Sequence, residues 1–130
     1  MSYETYTDGP YRTYPAAVPA NLIGKEGYAV EQVAGTETIQ LYTTGPLLGF
    51  LQQRLEGDDA WSVRLAGKGG TVKCVAGGAI NTPGYVKPAS GGKVVAAASG
   101  NLACGSKTLP TAASAAGDVI EIVDNFITVP

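Results

Sequence analysis

Hydrophobic and polar positions alternate most clearly between residues 71 and 95, TVKCVAGGAINTPGYVKPASGGKVV, where short β-branched runs are separated by glycine-containing breaks. Val72 and Cys74 fall on one face of the first run and Thr71, Lys73 and Val75 on the other, which is the two-residue period of a strand. Gly77-Gly78 and then Asn81-Thr82-Pro83-Gly84 interrupt the pattern. Glycine accepts positive φ without a steric cost and proline presets the first corner of a turn, so the stretch predicts strand, turn, strand, turn, strand. Pro83-Gly84 would place Gly84 at the positive-φ corner of a type II turn.

Upstream, GYAVEQV and TIQLYT flank a turn at Gly35 and predict a hairpin in which Ile39 and Leu41 alternate with Gln40 and Tyr42. The next run, LLGFLQQRLEG, fits a helical stripe through Leu48, Leu51 and Leu55 as well as a strand face through Leu47, Gly49 and Leu51. A glycine costs a helix interior roughly 1 kcal/mol, which favours the strand. Trp61, Val63 and Leu65 alternate with Ser62 and Arg64 in a half-buried strand, with Trp61 as its anchor. From Leu65 onward glycines punctuate the chain, the last of them Gly117, at the spacing of a β-sandwich or barrel. DVIEIVDNFITV, residues 118–129, is apolar at most positions and predicts a strand covered on both faces, a turn at Asp124-Asn125 and a short closing strand. TAASAA, residues 111–116, fits one helical turn or a tight loop equally well.

The predicted architecture is therefore all-β: a small β-sandwich or barrel-like domain over residues 20–130, preceded by an extended N-terminal arm over residues 1–19. The arm has no periodicity but holds Tyr3, Tyr6, Tyr11 and Tyr14 among Pro10, Pro15 and Pro19. Tyrosine offers a large amphipathic contact with only two torsions to freeze, so these four residues are candidates for lying on a partner's surface. A flexible tail, or a segment wrapping its own domain, would carry the same composition.

Composition narrows function by exclusion. Only 15% of the 130 residues are charged, and the net charge is −2; with a pI near 5.0 there is no electrostatic footprint for nucleic acid or an anionic membrane. No window reaches the roughly 18 apolar residues of a membrane span, and MSYETYTDGPY lacks the basic and apolar regions of a signal peptide, so the expectation is synthesis in a cytoplasm. The chain has no histidine, which removes Ser-His and Cys-His nucleophile pairs and the common zinc sets. Cys74 and Cys104 are expected as buried free thiols, with a disulfide between them as the alternative. Among the carboxylates, Asp58-Asp59 sits in a glycine turn and Asp118 and Glu121 would point to opposite faces of a strand. GNLACGSK, residues 100–107, imitates a phosphate-binding loop but has G-S-K in place of G-K-[ST]. No catalytic, metal or cofactor-binding residue is expected, and the chain is not read as an enzyme; Gly77, Gly78, Gly84 and Gly117 are expected as structural turn residues.

Ala79-Ile80, Gly84, Gly92-Lys93-Val94, Ala96-Ala97 and residues 115–122, AAGDVIEI, form a pattern that resembles the small capsid decoration (cement) proteins of tailed bacteriophages. The resemblance covers about the C-terminal half and does not include the Tyr/Pro arm. It implies a β-rich structural virion protein on the outside of an icosahedral head, bridging subunits of the major capsid protein, often as a homo-trimer at local three-fold positions. Such a protein needs no cofactor, nucleic acid or membrane. Three other readings stand beside it: a virion-surface module binding a receptor or carbohydrate, for which Trp61 and Tyr42 would be the aromatic candidates; another head or tail structural protein; and a carboxylate enzyme, which would require an acid pair within about 5 to 10 Å in a pocket.

Overall fold

A computed structural model describes residues 10–55 and 59–130. Among these, ten strands and one 3-10 turn, Pro19–Asn21, make two antiparallel sheets of five strands each. The first contains β1 (Tyr11–Pro15), β2 (Ala29–Gln32), β3 (Ile39–Leu41), β4 (Gly49–Arg54) and β5 (Ala60–Leu65), in the order β1-β5-β4-β2-β3. The second contains β6 (Thr71–Val75), β7 (Gly84–Pro88), β8 (Val94–Ala96), β9 (Leu102–Leu109) and β10 (Val119–Thr128), in the order β6-β10-β9-β7-β8.

Renumbered from its own first strand, the second sheet follows the same path as the first, and the correspondence extends to single rungs. Val30, Glu31 and Gln32 face Leu41, Gln40 and Ile39; Val86, Lys87 and Pro88 face Ala96, Val95 and Val94. β1 meets β5 over five rungs, from Tyr11↔Arg64 to Pro15↔Ala60, and β6 meets β10 over five, from Thr71↔Val123 to Val75↔Val119. Both sheets then curl until their edges touch. Ala16, directly after β1, bridges Ile39 in parallel, and Ala76, directly after β6, bridges Val94 in the same way. The following amides, Ala17 N and Gly77 N, donate to the Ile39 and Val94 carbonyls at 3.0 and 2.7 Å. Each closure is a single bridge, so β1 and β6 keep one strand partner each and only the ends of the two edges meet.

Tight curling demands a missing side chain at one place in each half. A Cβ on Gly49 would collide with the Arg64 carbonyl and Val63, and a Cβ on Gly105 with the Val123 carbonyl and Ile122, at equivalent rungs. Each curled sheet encloses an apolar cluster. Leu22, Val30, Ile39, Leu51, Trp61 and Val63 fill the first. Val72, Cys74, Ile80, Val86, Val94, Cys104, Ile120 and Ile122 belong to the second, which also takes in Ala29 and Phe50 from the outward face of the first sheet. The second cluster is thus shared by both halves.

The all-β reading is what the structure shows, and the hairpin, the strand at LLGFLQQR and the Trp61 strand are all present. Three expectations need correction. β10 is one strand through residue 128, with a register irregularity between Asp124 and Ile127 where a turn was expected, and only one of its faces is covered. Gly84 begins β7 without positive φ; glycine is required because a Cβ would lie 2.6 Å from the Asn81 carbonyl oxygen. Part of the expected arm belongs to the domain: Tyr11–Pro15 is the β1 strand, and Tyr14 and Ala16 pack against the first core.

That placement separates two truncations. Removing residues 1–9 leaves every described strand in place and serves as the reference. Removing residues 1–17 strips β1 from β5 and uncovers Trp61, a loss of about 3 kcal/mol or more by analogy with large core truncations. Thermal unfolding of the two truncated chains checks this; equal melting temperatures would contradict the role of β1.

Candidate partner-binding surface

Strand alternation sends one set of side chains inward and the next outward, and the register identifies the outward rows. In the first half the row Ala29, Phe50, Arg64, Tyr11 runs across β2, β4, β5 and β1. Its counterpart in the second half is Tyr85, Ser106, Val123, Thr71, across β7, β9, β10 and β6. The two rows have different fates. Ala29 and Phe50 are fully buried in the shared core, whereas Tyr85 and Val123 are 36% and 37% exposed. Leu109 and Val119 lie exposed toward one end of the second sheet, beside the outward Lys73 and Glu121. At the other end, where β9 and β10 run past β6 as a two-stranded ribbon, Leu102, Phe126 and Ile127 are exposed. Ten exposed large apolar side chains occur among the described residues, and seven belong to this half. This concentration of exposed apolar side chains on one half marks it as the candidate contact surface.

The charged groups inside the protein are all engaged. Glu31, on β2, accepts from the Gln40 side-chain amide at 2.8 Å, the Thr43 amide and hydroxyl at 2.8 and 2.6 Å, and the Gly45 amide at 3.0 Å. Burial alone would raise its pKa, but the bonds from Thr43, Gln40 and Gly45 outweigh it and bring the carboxyl down from 4.5 to about 2. Asp124 accepts from Arg64 Nη1 at 2.9 Å and from the amides of Gly67 and Lys68 at 2.8 and 2.9 Å. Lys107, fully buried, donates from Nζ to the carbonyls of Ile80 and Ala112 at 2.9 and 2.8 Å, and the Ser114 hydroxyl ties Ile80 N to the Gly78 carbonyl. The Lys107 and Ser114 bonds fasten the loops across the second core, and the Glu31 bonds fasten the turn after β3.

Cys74 and Cys104 are free and buried in the second core. Burial pushes both thiols up, Cys104 to about 12, so neither carries thiolate at neutral pH. Asp118 accepts from the Ala115 amide, Asp59 pairs with Arg54 at 3.0 Å on the surface, and Asp58 lies outside the described residues. The phosphate-loop mimic is the β9 strand. Among the described residues no three Cys, Asp or Glu side chains form a group able to hold a metal.

No protein-family profile and no curated protein matches the chain.

Of the residues expected to touch a partner, Tyr3 and Tyr6 lie outside the described residues. Tyr11 is exposed on β1, while Tyr14 is half-buried with the Arg12 guanidinium 5.7 Å from its ring centroid. Tyr11 and Tyr14 therefore face different environments and form no common patch. The turn glycines all serve the second half: Gly77 carries the closing amide, Gly78 offers its carbonyl to Ser114, Gly84 allows the approach of Asn81, and Gly117, at φ +90°, donates to the Ala76 carbonyl. Sequence reading missed Tyr85, Leu109, Val119, Val123, Phe126 and Ile127. The available signal was the apolar content of both faces of β10, which covered strands and binding strands share.

Glu31→Gln should destabilise the fold at pH 7 by about 2 kcal/mol, because it breaks charge-assisted hydrogen bonds. The folded pKa lies below the unfolded one, so the stabilisation is present above about pH 4.5 and fades as pH falls toward 2. Denaturant unfolding of both proteins across this range should show the gap closing; a gap independent of pH would contradict the assignment.

Proposed function

We propose that the chain is a capsid decoration (cement) protein, which binds the exterior of an icosahedral bacteriophage head as a homo-trimer and bridges subunits of the major capsid protein. The observation that carries this reading is the set of exposed apolar side chains at the two ends of the second half, Leu109 and Val119 at one and Leu102, Phe126 and Ile127 at the other. The resemblance of residues 79–122 to decoration proteins falls on the same half. A cement protein works by differential binding: it holds the assembled, expanded shell more tightly than the separated subunits, so each copy shifts that equilibrium toward the intact head. Preformed, rigid strands suit the task because little conformational entropy is lost on docking. The low charge also fits a surface that is covered in service, since charged residues are depleted at the centre of protein interfaces.

The receptor- or carbohydrate-binding reading has less support. Trp61 is buried inside the first curled sheet, and Tyr42 is half-buried against the second core, so the two make no exposed aromatic pair.

The test is to add the protein to undecorated expanded heads, measure occupancy by quantitative gel analysis of purified particles, and measure the temperature at which heads release their contents. The full chain should saturate a fixed number of sites and raise that temperature. Phe126→Glu combined with Ile127→Glu should cut affinity at least about tenfold with unchanged circular dichroism, the scale of interface anchor losses. Absence of saturable binding by the full chain would overturn the proposal.

A further inference from the structure

The repeat within the chain bears on how copies of it meet. We propose that the outward row Tyr85, Ser106, Val123, Thr71 is a self-association surface that packs head-to-tail on the first half of a second copy of this chain. This deepens the trimer reading above and rests on it only for the number of copies.

The argument starts from the joint already present inside the molecule. The first half presents Ala29, Phe50 and Arg64 outward, and all three are buried against the second half. The joint is completed by backbone bonds to the turn between β7 and β8: Ala29 N donates to the Gly92 carbonyl at 2.6 Å, and Gly91 N donates to the Tyr42 carbonyl at 2.8 Å. Gly27 sits against Cys74 and Val75 at the end of β6. One five-strand unit thus offers its outward row, and the next unit receives it with the end of its first strand and the turn between its second and third strands.

The outward row recurs uncovered in the second half, and the first half repeats the rim of the receiver, its own core being closed by Leu22, Leu51 and Trp61. The outward row of the second half is the register equivalent of Ala29, Phe50, Arg64, Tyr11, and it exposes Tyr85 and Val123 where the first half buries Ala29 and Phe50. The receiving elements of the first half are Tyr14 and Pro15, at the end of β1, and the turn at residues 33–38, of which Pro15 and residues 34–37 are exposed. A second copy therefore carries, at the rim, a strand end and a turn of the same topology as those that flank the first half's row. The face is uncharged along Tyr85, Ser106, Val123 and Thr71, which lowers the desolvation cost of covering it. The donor and receiver are different surfaces, so the contact is heterologous and produces a ring where its rotation closes. Three copies in such a ring would set six five-strand units around the axis.

The experiment uses the full chain without capsids. Sedimentation velocity over a concentration series should show reversible self-association, and Val123→Glu should weaken it by about tenfold or more, as expected for a central interface position. Tyr85→Glu serves as the second variant if circular dichroism shows that Val123→Glu has lost its fold. Orientation is read from cysteine pairs: Ser106→Cys and Thr36→Cys chains should form a disulfide when mixed and little when each is alone, the native thiols being buried. A chain that stays monomeric throughout, self-association indifferent to both substitutions, or efficient Ser106→Cys linkage to itself would each overturn the proposal. None of these outcomes depends on whether the chain binds a phage head, so the two readings fail separately.

Discussion

The arrangement of the whole molecule depends on one buried carboxylate. Asp124 receives the Arg64 guanidinium and the amides of Gly67 and Lys68, so a single side chain of the second half holds the last strand of the first half and the connection between them. Arg64 completes the clasp by donating to the carbonyls of Leu65 and Gly69. Removing one partner of a buried pair leaves the other charge uncompensated, a cost of about 3–5 kcal/mol, far more than the pair adds relative to an apolar alternative. The clasp is therefore better understood as fixing one geometry than as adding stability. It holds the joint at which Phe50 and Ala29 enter the second core, and in that arrangement the matching row of the second half faces outward.

From this follows a division of labour between two copies of one architecture. The first half spends its outward row on the joint, and the second half keeps its own available. Beyond the single closing bridges, the second half offers two further features for contact with other proteins: its side-chain faces and the ribbon that β9 and β10 extend past β6. The buried polar groups support rigidity rather than reaction: Glu31 braces the turn after β3, and Lys107 and Ser114 brace the loops over the second core. A rigid body with an apolar, weakly charged face is what proposed attachment to a large protein shell requires.

The strand content was legible because alternation and glycine spacing are local signals, and strands such as Thr71–Val75 and Ala60–Leu65 carry them plainly. The internal repeat was not. Equivalent positions kept Ala16 and Ala76, Val30 and Val86, and Gly49 and Gly105, but the rest diverged: Leu51 corresponds to Lys107, Phe50 to Ser106 and Ala29 to Tyr85. Backbone register survives such changes where sequence similarity does not. Asp124 misled for a related reason, since an acid beside asparagine in an apolar run carries the signature of a turn, and only the distant Arg64 makes it a buried clasp. The proline and tyrosine content of residues 10–19 likewise hid the short β1 strand, whose partner lies fifty residues away along the chain. The exposed apolar face could not be told from a covered one, because apolar side chains look alike in sequence whether they are buried or not.

Hydroxyl-radical footprinting of the protein, free and bound to phage heads, tests the central claim most directly. The account predicts that Tyr85, Leu109, Val123 and Phe126 lose reactivity on the particle while Val18 and Ile23, exposed on the first half, remain as reactive as in solution. Protection of Val18 and Ile23 with unchanged oxidation of Tyr85, Val123 and Phe126 would contradict it.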